Sequence, residues 1–109
     1  NGRVVDSLKS RVMYKALSKE DAATIKEYMR AVVEYRLSGS WKYVFNGTDA
    51  AGKTGSAENP DGAEHSWFIG FAPVDDPQVA LAVIVENGGA GGGIAASIAG
   101  KVFKAALKD

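Results

Sequence analysis

The sequence predicts an α+β fold in which an antiparallel sheet is packed by an N-terminal helix and a C-terminal helix. Three observations predict it. Residues 18–37 carry apolar side chains at helical spacing behind a capping serine. Two strand-like runs, His65–Val74 and Val79–Val85, are joined by a link too short for a parallel crossover, which needs about a dozen residues. After a glycine-rich stretch, Ile94–Lys108 returns to helical spacing.

Each element follows from its own residues. Val4, Val5, Leu8, Val12 and Met13 alternate weakly, so residues 3–14 are expected to be extended. Ser18 is a candidate N-cap, with Glu20 and Asp21 placed to face the positive end of the helix dipole. Ala22, Ile25, Met29, Val32 and Val33 form an apolar stripe, opposite Lys26, Glu27 and Arg30. Gly39 is the expected terminator.

Trp41–Phe45 is a short apolar run, expected to be a strand over about 41–46. Asn46-Gly47 then predicts a hairpin turn into a second strand over about 50–57. ENPDGAE (Glu58–Glu64) is a loop. The run HSWFIGFAPV predicts a strand over 65–74 that ends at Asp75-Asp76-Pro77, read as a turn and not as a metal site. VALAVIV, apolar on both faces, predicts a central strand over 78–86. Gly88–Gly93 reads as a flexible link to a helix over 93–108. Ile94, Ile98, Val102, Ala105 and Ala106 would lie on one side of that helix. Ala95, Ala96, Ala99 and Gly100 would allow close approach to the sheet.

Composition narrows the function. Among 109 residues, 13 basic and 13 acidic side chains cancel, so no basic surface points to nucleic acid. Without cysteine, and with His65 as the one histidine, thiolate chemistry and histidine-rich metal sites are excluded. His65 itself is expected to be structural, and Trp67, Phe68 and Phe71 to pack in the core or a cleft wall. No run approaches the roughly 20 apolar residues of a membrane-spanning helix. The chain opens on Asn-Gly-Arg with no initiator methionine and no signal peptide, so it is expected to be a piece of a longer protein.

One stretch carries chemistry. GTDAAGKTGS (Gly47–Ser56) satisfies the phosphate-loop pattern G-x-x-x-x-G-K-[ST] through Gly47, Gly52, Lys53 and Thr54. A phosphate loop must run into a helix, whose first amides hold the phosphates. Here Gly55, Pro60 and Gly62 follow, which oppose a helix. Glu86 sits where a magnesium-binding acid could, but its strand is antiparallel to its neighbour, whereas the phosphate-loop fold is parallel. Nucleotide binding is therefore the remote alternative. The competing expectation is an extended edge strand. There the Lys53 ammonium points into a cleft, the Thr54 hydroxyl meets a carboxylate, and Gly55 leaves room for an extended ligand.

AGKTGSAE (Ala51–Glu58), HSWFIGFAPVDDPQVALAVIVENGG (His65–Gly89) and the small-residue helix around AGKVFKAALK together resemble the end of the transpeptidase domain of bacterial penicillin-binding proteins, related in fold to serine β-lactamases. DAATIKEYMRAVVE (Asp21–Glu34) is similar to the helix before the Lys-Thr-Gly strand in that family. The resemblance implies a five-stranded antiparallel sheet covered by helices, of which this chain would be the C-terminal portion. It implies that Lys53 is catalytic, contributing a cationic field and proton relay. It implies that Thr54, Gly55 and Ser56 bind substrate, and that amides of their strand form part of an oxyanion hole. A serine would attack a D-Ala-D-Ala stem peptide and pass the acyl group to an amine on a neighbouring strand, and β-lactams would mimic the donor.

Neither the nucleophile motif Ser-x-x-Lys nor the second motif Ser-x-Asn occurs in these residues, so both are expected upstream and the chain alone is expected to be inactive. The implied partners are the peptidoglycan stem peptide, β-lactam antibiotics, and either the remaining transpeptidase domain or a second copy through exposed sheet. No cofactor, metal or nucleic acid is implied. The implied location is the extracytoplasmic face of the bacterial membrane, with an anchor outside this chain. A penicillin-sensing domain and a serine β-lactamase are alternatives of the same fold.

Overall fold

The computed structural model describes residues 2–37 and 40–108. Its elements run α1 (Lys19–Ala31), a wide π turn (Val32–Arg36), α2 (Ser40–Val44), β1 (Ala51–Ala57), β2 (His65–Ala72), β3 (Val79–Val85), a 3-10 turn (Ala90–Gly92) and α3 (Gly93–Ala106). The strands form one antiparallel sheet in the order β1-β2-β3.

Strand alternation divides the sheet into two unlike faces. Ser66, Phe68, Gly70 and Ala72 of β2 are buried under α3, and the partly buried Val79, Leu81, Val83 and Val85 of β3 opposite them pack against the same core. Phe68 and Phe103 are fully buried, and Phe45 sets its ring 5.8 Å from Phe68 and 6.5 Å from Phe103. The core is therefore a knot of three aromatic rings on a bed of small residues. On the opposite face Trp67, Ile69 and Ile84 remain 37–48% exposed. There α1 crosses the end of the sheet beside Lys53 and Ile69.

Helix α1 begins as expected: Ser18 is extended, and its hydroxyl accepts from the Asp21 amide at 3.0 Å. At the other end a wide turn, closed by Leu37 N donating to Val32 O at 3.1 Å, carries Val33 and Leu37 into the core. Gly39 lies outside the described residues. Residues 3–14 form no regular element and are exposed.

Two expectations are corrected, and the close approach expected of the small residues of α3 is borne out. Residues 40–44 are helical, so no strand occupies 41–46, and the turn at Gly47 (φ +78°) links a helix to β1 instead of closing a hairpin. Val44 and Phe45 pack against Gly100 of α3, where an added Cβ would sit 2.5 Å from Val44 Cγ1. A five-residue apolar run has no period long enough to separate helix from strand, so this tertiary contact decides. In α3 the small stripe faces inward with Phe103, while Ile94, Ile98 and Val102 are 39–44% exposed. Close approach to a sheet selects the smallest side chains, not the most apolar ones. Finally, β3 stands at the sheet edge among the described residues, with Ala80, Ala82 and Ile84 exposed.

Candidate active-site strand

Lys53, Thr54, Gly55 and Ser56 lie in β1, an edge strand that pairs only with β2 among the described residues. The strand is extended through Ala57 and gives way to a loop, with no helix after the Gly-Lys-Thr triplet. That removes the phosphate-loop reading, since no helix N-terminus stands behind Lys53. The two glycines of the pattern have other reasons to be there. Gly47 takes a positive φ in the turn, where Thr48 N donates to Phe45 O at 2.8 Å. Gly52 lies against the Phe68 ring, and a Cβ there would also come within 2.7 Å of Ile69 O.

Alternation along β1 places Lys53 and Gly55 on one face and Thr54 and Ser56 on the other. Lys53 stands opposite Ile69 and Gly55 opposite Trp67, both on the face away from α3. The Lys53 side chain is exposed, and its ammonium donates to Thr54 O at 2.7 Å. It lines a groove of about 380 Å³ whose other walls are Ile25, Tyr28 and Met29 of α1, Val32 of the π turn and Ile69 of β2. One ammonium at the rim of an otherwise apolar groove has few competing partners.

Thr54 faces the other side and is half-buried. The 3-10 turn packs directly on it: Gly92 has φ +66°, and a Cβ there would come within 2.7 Å of Thr54 Cβ and 2.8 Å of Trp67 O. The glycine-rich stretch, expected to be a flexible link, is thus a close-packed support for this strand. Lys53 and Thr54 lie on opposite faces of β1, so both are reached together only along its free edge.

The strand is held by contacts between residues distant in the chain. Ser66, fully buried, accepts from the Ala95 amide at 3.3 Å and so ties β2 to the start of α3. His65 Nδ1 accepts from Asn87 N at 3.0 Å, and Asn59 Nδ2 donates to Asn87 Oδ1, fastening the β1–β2 loop to the end of β3. This is the structural role expected of His65. Arg30 and Lys26 of α1 reach Asp49 and Asp75, residues far apart in the chain. Hydrogen bonds from Lys26 and then Arg30 hold the Asp75 carboxyl below the usual carboxylate range, and Asp75 in turn raises the Arg30 guanidinium. Among the described residues no group of three or more histidine, cysteine, aspartate or glutamate side chains is placed to hold a metal ion.

Comparison with known proteins points one way. Residues 5–104 match the model of the penicillin binding protein transpeptidase domain. The peptidoglycan D,D-transpeptidase PbpA of Mycolicibacterium smegmatis is 38% identical over 104 residues, covering 87% of this chain and 21% of that protein. Penicillin-binding protein 3 of Bacillus subtilis is 33% identical over 89 residues, covering 75% of this chain and 13% of that protein. Among solved structures, the imipenem acyl-enzyme complex of penicillin-binding protein A from M. tuberculosis superposes with a TM-score of 0.71 at 39% identity, over 84% of this chain and 20% of that one. This chain thus spans about a fifth of the length of the PbpA relatives it matches. With the edge strand, its Lys-Thr-Gly triplet and the supporting helices all accounted for, the chain belongs to the penicillin-binding protein transpeptidase domain family.

Proposed function

We propose that this chain is the C-terminal portion of a bacterial peptidoglycan D,D-transpeptidase and forms the Lys-Thr-Gly side of its active site. The observation that carries the reading is the placement of Lys53. It stands on an open edge strand, its ammonium exposed beside a groove, with Thr54 and Ser56 on the opposite face of the same strand. A donor stem peptide lies along this edge as an extended strand, and Gly55 keeps the strand surface low beside it. Lys53 holds positive charge near the reacting centre, which favours the substrate carboxylate and lowers the pKa of neighbouring cationic groups. Thr54 and Ser56 orient the carboxylate. Amides of β1 donate to the oxyanion that forms when a serine outside these residues attacks the carbonyl. The terminal D-alanine leaves with a proton, and an amine then takes the acyl group from the serine. A β-lactam enters the same first step, and its opened ring stays attached.

The names of the matching relatives, peptidoglycan D,D-transpeptidases, support this chemistry over that of a β-lactamase. They also support a place of action on the extracytoplasmic face of the membrane. No helix among the described residues is long and apolar enough to cross a membrane.

Labelling with a fluorescent penicillin tests the reading. The full-length polypeptide carrying this chain takes one label per molecule, and the 109-residue chain alone takes none. Lys53→Ala in the full-length protein slows acylation on the order of a hundredfold, the scale on which preorganised electrostatic donors act. Stoichiometric labelling of the isolated chain, or an unchanged rate in the Lys53→Ala protein, would refute it.

A further inference from the structure

Helix α1 walls the groove beside Lys53, yet none of its residues is buried. Its apolar side chains Ile25, Tyr28 and Met29 line an open groove and enter no closed core. Most helices in proteins are held by burial of an apolar face, so α1 needs another fastening. The fastening is ionic. Arg30 Nη2 donates to both carboxylate oxygens of Asp75, at 3.1 and 3.2 Å. Arg30 Nη1 lies 3.3 Å from Asp49 Oδ1, and Lys26 Nζ donates to Asp75 Oδ1 at 2.9 Å. Arg30 Nε sits 3.4 Å from Glu27 Oε2 without hydrogen-bond alignment.

The two acceptors come from different parts of the fold. Asp49 lies two residues before β1, and its second oxygen accepts from Val74 N at 3.1 Å. Asp75 lies in the turn between β2 and β3. One guanidinium therefore ties α1 both to the approach of the Lys53 strand and to the hairpin beyond it. An isolated surface pair would contribute little. Here several charges converge, and the Arg30 side chain is only 24% exposed against 72% for Asp75. The planar fork of arginine suits two carboxylates at once, which a lysine cannot match. At its far end α1 is anchored by Val33 and Leu37 in the core. It is thus pinned at two points, one apolar and one ionic.

We infer that Arg30, clasped by Asp49 and Asp75, is a positioning residue for the proposed transpeptidase site, holding α1 as a fixed wall of the groove at Lys53. The catalytic consequence rests on the proposed function; the clasp itself does not. Two measurements separate them. In the full-length protein, amide hydrogen exchange over Lys19–Ala31 should speed at least tenfold in Arg30→Met and in Asp75→Asn. Arg30→Lys should retain part of the protection, and β2 amides should keep theirs in all three. Unchanged exchange in α1, or equal loss across β2, overturns the clasp. In the full-length protein, Arg30→Met should slow β-lactam acylation about tenfold, and Arg30→Lys should recover part of the rate. Faster exchange in α1 with an unaltered acylation rate overturns the positioning role. A wild-type protein that takes no β-lactam at all refutes the proposed function instead, while exchange still decides the clasp.

Discussion

Gly52 shows how one residue can be misassigned by a motif. Its place in a phosphate-loop pattern is coincidental; what excludes a side chain there is the Phe68 ring and the Ile69 carbonyl, 2.7 Å from where a Cβ would be. Phe68 is fully buried against Phe45, so it has nowhere to move. Gly52→Ala should therefore destabilise the chain by about 1–3 kcal/mol, the usual cost of overpacking a core, read as a lower urea midpoint with unchanged slope. An unaltered midpoint would mean that the ring yields more easily than its burial indicates. Lys53, next in sequence, is bound by no such packing. It is exposed, and its ammonium donates to a neighbouring backbone carbonyl, that of Thr54.

Among the elements, α1 is the one whose attachment depends on solution conditions. The Asp75 carboxyl lies below its ordinary range because Lys26 and Arg30 donate to it. A group with a depressed folded-state pKa contributes stability that is fully present above its unfolded value, near 3.9, and is lost as pH falls through the folded value. Glu27 and Asp49 face the same guanidinium. Protection of α1 amides should thus be constant from pH 7 to about 5 and should fall below about pH 4. The α3–sheet core, held by apolar contact, should outlast it. Exchange measured by mass spectrometry across that range checks the order of loss, and a simultaneous loss of both elements would contradict it. The basic pair Lys26 and Arg30 is visible in the sequence, but its acidic partners lie 49 and 45 residues away for Asp75, so the clasp is not.

At the scale of the whole molecule, the sheet has one finished face and one bare one. Trp67, Ile69 and Ile84 lie 37–48% exposed on the face away from α3, and β3 offers an apolar edge with no partner strand among the described residues. Apolar faces and open edges of this kind associate. The isolated chain should form dimers or larger species at micromolar concentration, measurable by sedimentation velocity. Ile84→Lys together with Ile69→Lys should shift it toward monomer. A strictly monomeric wild-type chain at such concentrations would show that these surfaces do not seek each other. The family's five-stranded sheet, implied by the resemblance, gives the same surfaces a second natural cover: the remaining strands and helices of a complete domain.

Local chemistry made much of this protein readable from its residues alone. Ser18 caps α1 because a hydroxyl satisfies a free amide, His65–Ala72 and Val79–Val85 pair antiparallel because their link is short, and Lys53-Thr54-Gly55 extends because glycine and proline behind it refuse a helix. Contacts between distant residues decided the rest. Trp41–Phe45 could have been strand or helix until Val44 met Gly100, and the inward stripe of α3 was settled by clearance from the sheet. The wall at Lys53 depends on a guanidinium meeting two carboxylates from separate turns. Backbone preference acts over a few residues and is written in their order. Close packing and charge pairing act through space, and only the folded chain brings those partners together.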